Sequence, residues 1–295
     1  MMLDFKQSCI ILDKPSGISS NHALSKVKKK LSQRKAGFSG TLDPLASGLL
    51  IIFLNKATKL CSSFLNADKS YKATIKLGIT STTGDITGEI ISSSKIPDIR
   101  SIDLKKIEEK FMGSIEQTPP MYSALKYKGI RLYEYARKGI YVHRDSRNVV
   151  IHNINLRHLN EGNLLLEVNC SKGTYIRTLA EKIGEEIGCG ALISSLKRTK
   201  IADIDLSKSI NLDILLSSTT EEIFDKYIIN VDLLLSDTTT HELLDNEVVK
   251  ILNGSKIKTN KRPSKTVKIY DYHGRFIGVG EINENSELLP KKILL

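Results

Sequence analysis

The chain has 295 residues, 40% of them hydrophobic and 26% charged, and a formal net charge of +11 at pH 7. This composition is that of a folded globular protein and excludes a disordered or fibrous one. The excess of Lys and Arg favours a polyanion such as nucleic acid as the partner, although a lysine-rich surface can also serve solubility alone.

The cysteines and histidines show no metal-binding pattern. The four cysteines form no C-x-x-C pair, and the six histidines have no spacing typical of a zinc site. We therefore expect neither a metal nor a disulfide. The apolar run near the amino terminus is interrupted by Asp13 and Lys14 too early for a signal peptide or a membrane span, so we expect a cytoplasmic protein.

A short strand and a basic helix are the first predicted elements. The apolar run 10–12 ends at the turn "DKPSG", after which Ser20 or Asn21 is placed to cap a helix. The apolar face of this helix is formed by Leu24, Val27 and Leu31. Its other face carries lysines, which either are simply solvated or contact phosphates.

The next segment, "AGFSGTLDPLASG", surrounds a single carboxylate, Asp43, with three glycines. Asp followed by Pro is a common helix start, with the Asp as N-cap. Hydrolases that use general acid and base need two carboxylates, and phosphoryl transfer needs a P-loop or a metal cage. Neither pattern is evident, so the residues leave two interpretations: a helix cap, or an acid that acts with a supporting cation such as Arg177.

Two strands and a helix are predicted after this loop. "LLIIFLN" is a dense apolar run typical of a buried strand, and "YKATIKLGI" alternates, so that Tyr71 opens its apolar face. An amphipathic helix is expected over residues 107–111. The mixed aromatic and basic block "QTPPMYSALKYKGIRLYEYARKGI" can stack on bases and pair with phosphates, although some of its tyrosines can instead cover a core edge.

The segment "NLLLEVNCSKGTYIRTLAEKIGEEIG" predicts a strand, a turn and a helix, with Arg177 near the helix start. An arginine beside Asp43 would favour the ionised carboxylate that a nucleophile requires. Chemistry on a nucleic-acid base also needs planar side chains that receive the base outside its stack. Phe38, Tyr71 and Tyr175 are candidates for that task.

A polar stretch, "SDTTTHE", predicts a domain boundary between residues 236 and 237. Residues 237–295 contain short apolar runs separated by Asn-Gly and His-Gly turns, which predicts a small all-β module after a larger domain of residues 1–236. Basic residues cluster between positions 256 and 268, as suits a phosphate-binding patch.

Together, "GTLDPLASG", "SYKATIKLG", "MYSALKYKGIRLYEYARKG" and "CSKGTYIRTLAEKIGEEIGCGA" resemble the signature segments of TruB-type tRNA pseudouridine synthases. The resemblance covers nearly the whole chain and includes a weaker match to a carboxy-terminal PUA-like module. It implies an α+β catalytic domain, with a mixed, mostly antiparallel sheet flanked by helices, and a small all-β PUA-like domain that binds RNA.

The same resemblance implies a reaction. The T-loop uridine of tRNA conventionally numbered 55 is isomerised to pseudouridine, without cofactor or metal, after the base has flipped out. The expected partner is the T arm of tRNA, with no membrane and no obligate protein partner, and we expect a monomer. Asp43 would be the catalytic aspartate, Tyr71 would stack on the base and serve in the final proton removal, and Arg177 would pair with Asp43.

Further roles follow from the same motifs. Tyr175 and Leu196 are expected to line the base pocket, and Lys14 with Pro15 to support its floor, although those two residues also fit a plain turn. In one place the chain departs from the family: Phe38 stands where the His of G-H-T-G is common. We expect Phe38 to fill the space left by the flipped base, since stacking tolerates different aromatic rings.

Two other functions share the basic surface. A non-catalytic tRNA-binding or tRNA-folding protein on the same scaffold would have the same charge, and the joint presence of Asp43, Tyr71 and Arg177 favours an enzyme instead. A guide-RNA-dependent relative working in a ribonucleoprotein is expected to carry a basic tail, whereas this sequence ends at "PKKILL".

Overall fold

The computed structural model describes residues 4–160, 162–235 and 238–295. The helices are α1 Ser20–Lys30, α2 Cys61–Leu65, α3 Leu104–Phe111, α4 Leu132–Arg137, α5 Ile176–Ile187, α6 Leu212–Ser217, α7 Thr220–Tyr227 and α8 Asp245–Leu252. Of these described helices, none has the length and apolar character that crossing a membrane requires.

The strands up to residue 117 are β1 Ser8–Lys14, β2 Ala36–Phe38, β3 Ser47–Leu54, β4 Lys69–Leu77, β5 Ile79–Ser81, β6 Ile90–Ser93 and β7 Gly113–Gln117. Those up to residue 230 are β8 Lys126–Tyr127, β9 Ile130–Arg131, β10 Arg147–Asn160, β11 Asn163–Cys170, β12 Ala191–Ile201, β13 Ile204–Asp205, β14 Ile210–Asn211 and β15 Ile228–Asn230. The last are β16 Thr239–Glu242, β17 Ile257–Lys258, β18 Ser264–Tyr270, β19 Phe276–Ile282 and β20 Glu287–Ile293.

An 11-stranded sheet forms the larger part of the molecule. Eight of its strands follow the path β14-β1-β3-β12-β4-β11-β10-β7, and β2, β13 and β15 pair with β3, β12 and β1, respectively. Its β1–β14 and β3–β12 pairs are parallel, whereas its other pairs are antiparallel. Helix α5 packs on one face of β4, β11 and β12. The predicted α+β class, with a mixed, mostly antiparallel sheet and flanking helices, is confirmed.

Strand β3 is buried on both faces, which explains its uninterrupted apolar sequence. One face packs against α1, α6 and α7. The other face packs against α2 and against Phe276, Val279 and Leu294 of the carboxy-terminal segment. The small sheet is therefore joined to the large one by a shared apolar cluster.

The carboxy-terminal segment forms a 5-stranded sheet of order β16-β18-β19-β20-β17. The expectation of an all-β module needs one correction, because the "VVKIL" run lies in helix α8. The Glu247 carboxylate accepts from the Leu244 N–H at 2.9 Å at the helix start, and Val248 and Ile251 pack on the sheet at helical spacing. The boundary predicted between residues 236 and 237 lies outside the described residues.

Helix α1 also begins one residue earlier than predicted. Ser19 is its N-cap, and its hydroxyl accepts from the His22 N–H at 3.1 Å. Ser20, which the sequence offered as a cap, is buried and faces the loop that carries Asp43. Its hydroxyl therefore serves that loop.

Leu294→Ala is expected to lower the free energy of unfolding by about 3 kcal/mol, because it leaves a cavity in the cluster shared by the two sheets. Leu294 is 1% exposed, whereas its neighbour Leu295 is 43% exposed. Leu295→Ala is thus the matched control, with an expected change below about 0.5 kcal/mol. Urea unfolding followed by circular dichroism measures both; equal losses would contradict the packing described.

Candidate active site

Asp43 lies in the loop 39–46 that joins β2 to β3. No helix follows it in this described stretch: the Ala46 N–H donates to the Asp43 carbonyl at 3.1 Å in a turn, and the chain enters β3 at Ser47. The structure therefore removes the helix-cap interpretation. The side chain of Asp43 is 38% exposed, so its carboxylate is open to a ligand.

The turn after β1 holds this loop in place. The Ser20 hydroxyl accepts from the Leu42 N–H at 2.8 Å and donates to the Leu42 carbonyl at 3.0 Å. The Gly17 N–H donates to the Pro44 carbonyl at 2.8 Å. The residues on both sides of Asp43 are thus fixed by hydrogen bonds, one side to the Ser20 side chain at the start of α1 and the other to the backbone of the "DKPSG" turn.

Lys14 supports that turn from inside the protein. It is fully buried, and its Nζ donates to the carbonyls of Pro15 at 2.8 Å and Ile18 at 2.7 Å. Burial lowers the pKa of Lys14 to about 8, and the nearby Asp43 carboxylate opposes that shift. Lys14 lies beneath the loop and is not part of the cleft surface.

Arg177, the second residue of α5, is directed at Asp43. Its Nε lies 2.9 Å from Asp43 Oδ2, and its side chain is only 5% exposed. The other nitrogens donate to the carbonyls of Thr83 at 2.5 Å and Tyr122 at 2.7 Å. Three separate chain segments therefore fix the guanidinium, which in turn fixes the carboxylate.

The start of α5 is itself clamped by a side chain. Gln117 is buried; its amide donates to the Tyr175 carbonyl at 3.0 Å and accepts from the Tyr175 N–H at 2.7 Å. Tyr175 is the N-cap residue of α5 and its side chain makes no capping hydrogen bond, so the two bonds from Gln117 fix its backbone instead. It sets where the helix, and with it Arg177, begins.

Asp85 is a site residue that the sequence reasoning missed. It is buried, its Oδ2 lies 4.0 Å from Arg177 Nε, and its Oδ1 accepts from the Thr83 hydroxyl and the Thr87 N–H, each at 2.9 Å. It lies in the segment "TSTTGDITGE", whose residue types are typical of turns. The available signal was a lone Asp among Thr and Gly, a pattern typical of an Asx turn.

Glu181, one turn after Arg177 on α5, is a third carboxylate near the guanidinium. Burial raises the pKa of Glu181, and the charge of Arg177 opposes this shift. Arg177 thus lies among Asp43, Asp85 and Glu181. Of these three, Asp43 is the one in the cleft lining.

Tyr71 is placed by the register of the sheet. Arg198 of β12 pairs with Tyr71 of β4 on one side and with Gly48 of β3 on the other. A side chain at Gly48 would put its Cβ 2.2 Å from the Arg198 carbonyl, so only glycine allows this approach. Tyr71 is therefore fixed relative to the strand that begins just after Asp43.

Arg198 is the second residue that the sequence reasoning missed. It is 1% exposed, and it donates through Nε to the Leu49 carbonyl at 2.8 Å and through Nη2 to the Gly40 carbonyl at 3.1 Å, on either side of the Asp43 loop. Its charge also lies beside the Tyr71 phenol. Burial raises the pKa of that phenol, and the guanidinium opposes the shift.

These residues surround a cleft of about 450 Å³, a volume that suits a ligand the size of a nucleotide. The predicted residues that line it are Asp43, Tyr71, Tyr175, Arg177 and Leu196. Phe38 lies outside the lining: it pairs with Ile52 across β2 and β3 and is half-buried against the apolar cluster beneath α1.

A second cavity, of about 500 Å³, has a different lining, which includes Phe64, Ile204 and Leu234. Its lining includes Lys208 and exposed carboxylates but neither of the tyrosines nor the Asp43–Arg177 pair. The first cleft is therefore the candidate active site. There, a carboxylate paired with a buried cation faces an aromatic ring, an arrangement suited to nucleophilic or electrostatic work on a planar ligand.

Three family models match successive parts of the chain. Residues 28–176 match the amino-terminal domain of TruB family pseudouridylate synthases. Residues 177–236 match the tRNA pseudouridylate synthase B carboxy-terminal domain, and residues 239–294 match the carboxy-terminal region of pseudouridine synthase II TruB.

Individual relatives align over almost the whole chain. The tRNA pseudouridine synthase B of Nitrosococcus oceani is 42% identical over 288 residues, which are 97% of this chain and 94% of the relative. That of Azoarcus sp. is 42% identical over 285 residues, with the same two coverages, 97% and 94%.

The fold is also that of known structures. A chain from the crystal structure of a Cbf5-Nop10-Gar1 complex superposes with a TM-score of 0.75 at 25% identity, covering 99% of this chain and 86% of that one. A chain from the archaeal box H/ACA sRNP Nop10-Cbf5 complex gives 0.73 at 21% identity, covering 99% and 88%. From the matched domains and the full-length relatives, the chain belongs to the TruB family of pseudouridylate synthases.

Proposed function

We propose that this protein isomerises the T-loop uridine of tRNA, position 55, to pseudouridine in the Asp43 cleft. Its full-length relatives are tRNA pseudouridine synthases, and we assign the same tRNA activity to this chain. The observation that carries the assignment of the site is the Asp43–Arg177 pair, with 2.9 Å between Oδ2 and Nε, in a cleft that Tyr71 also lines.

The reaction needs no net supply of atoms. The bond from ribose C1′ to N1 of uracil breaks, a bond from C1′ to C5 forms, and the proton that C5 loses is balanced by the one that N1 gains. Because the base must turn between these events, it has to leave its stack in the RNA. The cleft of about 450 Å³ has room for the extruded nucleoside and its rotation.

Asp43 is the group that we assign to the bond exchange, either at C1′ or at the base. Arg177 fixes the carboxylate through the 2.9 Å contact between Nε and Oδ2 and holds it in the cleft. Tyr71 stacks on the base, and its phenol is the acceptor for the C5 proton. Burial raises the pKa of that phenol, and the charge of Arg198 beside it opposes this shift.

Two alternatives share the scaffold. A tRNA-binding or tRNA-folding protein without catalysis would have no need of the Asp43–Arg177 pair. The second alternative is an enzyme that depends on a guide RNA. It is considered because the matched solved structures include an H/ACA RNP bound to a substrate RNA, at 21% identity. The relatives at 42% identity are tRNA pseudouridine synthases, which supports direct action on tRNA.

The proposal extends to the organisation of the molecule. Residues 1–236 form the catalytic domain and residues 237–295 a PUA-like RNA-binding domain. The enzyme acts on the T arm as a monomer in the cytoplasm. The basic residues between 256 and 268 support RNA binding by the small sheet.

Asp43→Asn is expected to abolish pseudouridine formation while leaving tRNA affinity within about threefold, since affinity depends on phosphate contacts. The assay incubates purified protein with an unmodified tRNA transcript in EDTA and maps pseudouridine in the T loop by chemical probing. Product at that one uridine with the wild type supports the proposal. A wild type that binds tRNA tightly but forms no product contradicts it.

Asp85→Asn is expected to slow the single-turnover rate by about ten- to a hundredfold, because Arg177 loses one of its carboxylates and shifts from Asp43. The asparagine oxygen can still accept from Thr83 and Thr87, so the fold is kept. Asp98→Asn, at an exposed turn whose carboxylate accepts from the Arg100 N–H at 3.1 Å, is the control. Equal rates for the two variants would show that Asp85 does not act through Arg177.

Phe38→His is expected to keep the rate at saturating enzyme within about threefold, because the position is only half-buried and either ring offers an aromatic face for the space that the flipped base leaves in the RNA. Phe38→Ala should lower the rate more, and unfolding curves separate this effect from lost packing. A gain of about a hundredfold with histidine would instead identify a proton carrier that this chain lacks.

A further inference from the structure

One cation of the cleft has no part in the reaction proposed above. Arg147, the first residue of β10, lines the cleft together with Asp43 and Tyr71. Its guanidinium carbon lies 5.3 Å from the centroid of the Tyr175 ring, and its Nη2 donates to the Gly173 carbonyl. A strand end and the turn before α5 thus meet through this side chain.

The turn is shaped around the guanidinium. Gly173 has φ +82°, and a Cβ there would lie 3.0 Å from Arg147 Nη2 and 3.2 Å from its Cζ. Both the backbone conformation and the close approach favour glycine at this position. The "SKGTY" turn therefore contacts the Arg147 guanidinium and also leads into α5.

Arg147 has hydrogen-bonding capacity left over. Its Nε is buried, yet no partner for it exists among the described residues. Arg177, in contrast, has oxygen partners for Nε and both terminal nitrogens. No described carboxylate forms an ion pair with Arg147, so its charge is not neutralised as that of Arg177 is. A buried donor on an unneutralised cation indicates a missing acceptor.

We propose that Arg147 binds a backbone phosphate of the RNA beside the target uridine. The inference rests on the proposed function, because it names how that same cleft takes its RNA. A planar guanidinium bonds a phosphate with two parallel donors, and stacking on Tyr175 sets its orientation. Lys172 also lines the cleft and adds positive charge. The negative charge of Asp43 repels phosphates, whereas Arg147 and Lys172 attract them. The RNA backbone is therefore held beside these two cations, and the target base is left facing the Asp43 carboxylate.

The chain provides a matched control in Arg144. Its guanidinium carbon lies 4.7 Å from the centroid of the Tyr141 ring, and it donates to the carbonyls of Pro119 at 3.0 Å and Val142 at 2.8 Å. Arg144 therefore has the same charge and the same kind of stacking as Arg147. It is not part of the cleft lining.

The first test compares Arg147→Met with Arg144→Met in binding to a synthetic stem–loop RNA of the tRNA T arm at several salt concentrations. Arg147→Met is expected to weaken binding by about tenfold and to make the slope of log K against log salt less negative by about 0.7 to 0.9. The loss of affinity should exceed any loss in the single-turnover rate at saturating enzyme, since the proposed contact is made to a phosphate and not to the atoms that exchange bonds. Affinity and salt slope equal to those of Arg144→Met would overturn the proposal.

The second test locates the contact. The phosphates around the target uridine are replaced one at a time by neutral methylphosphonates, and binding is measured with wild type and Arg147→Met. One replacement should cost the wild type about tenfold and cost the variant less than about threefold, because the partner is already gone. If each replacement weakened binding equally in the wild type and in Arg147→Met, the phosphate role would be overturned. The same holds if Arg147→Met slowed the chemical step but bound the RNA as tightly as the wild type.

Arg147→Lys carries the test if Arg147→Met does not fold. Lysine keeps the charge but lacks the paired donors of the guanidinium. Replacement of the same phosphate should therefore still weaken binding, but by a smaller factor than in the wild type. A map without that sensitive linkage overturns the proposal. A wild type that binds the RNA but makes no pseudouridine overturns the proposed function. The comparison of wild type with the Arg147 variants can still be interpreted in that case, because it measures binding and not catalysis.

Discussion

The site depends on the burial of one guanidinium. Removing the Arg177 charge from water is costly unless oxygen atoms surround it, and here they come from Asp43, Asp85 and two backbone carbonyls. Because of this requirement, the three chain segments that supply those oxygens are held around the start of α5. The carboxylate that faces the cleft is therefore part of the packing of the protein and not a loose side chain.

A second buried arginine joins the aromatic platform to that carboxylate. Arg198 bonds to the backbone on both sides of the Asp43 loop and lies next to Tyr71. The parallel pairing of β3 with β12 is what brings these strands side by side. The distance between the acid and the ring is thus set by strand register, which tolerates little slippage because one residue of shift would turn every side chain over.

The sequence allowed much of this to be predicted, but not all. Alternation identified the strand of Tyr71, and helical periodicity identified α5, since both patterns depend on local burial. Motif resemblance selected Asp43, Tyr71 and Arg177. Arg198 gave no such local signal, and the pattern around Asp85 indicated only a turn, because the roles of both residues come from strand pairing and from contacts distant in sequence. Helix α8 was misread because a short apolar run fits a strand and a helix equally well.

The shared apolar cluster has a consequence for how the protein is made. Strands β1 and β3 are synthesised long before Phe276, Val279 and Leu294, which cover part of one of their faces. Contacts this distant along the chain form slowly. The growing chain therefore exposes part of an apolar sheet face until these residues arrive, and during this interval chaperones have a surface to recognise.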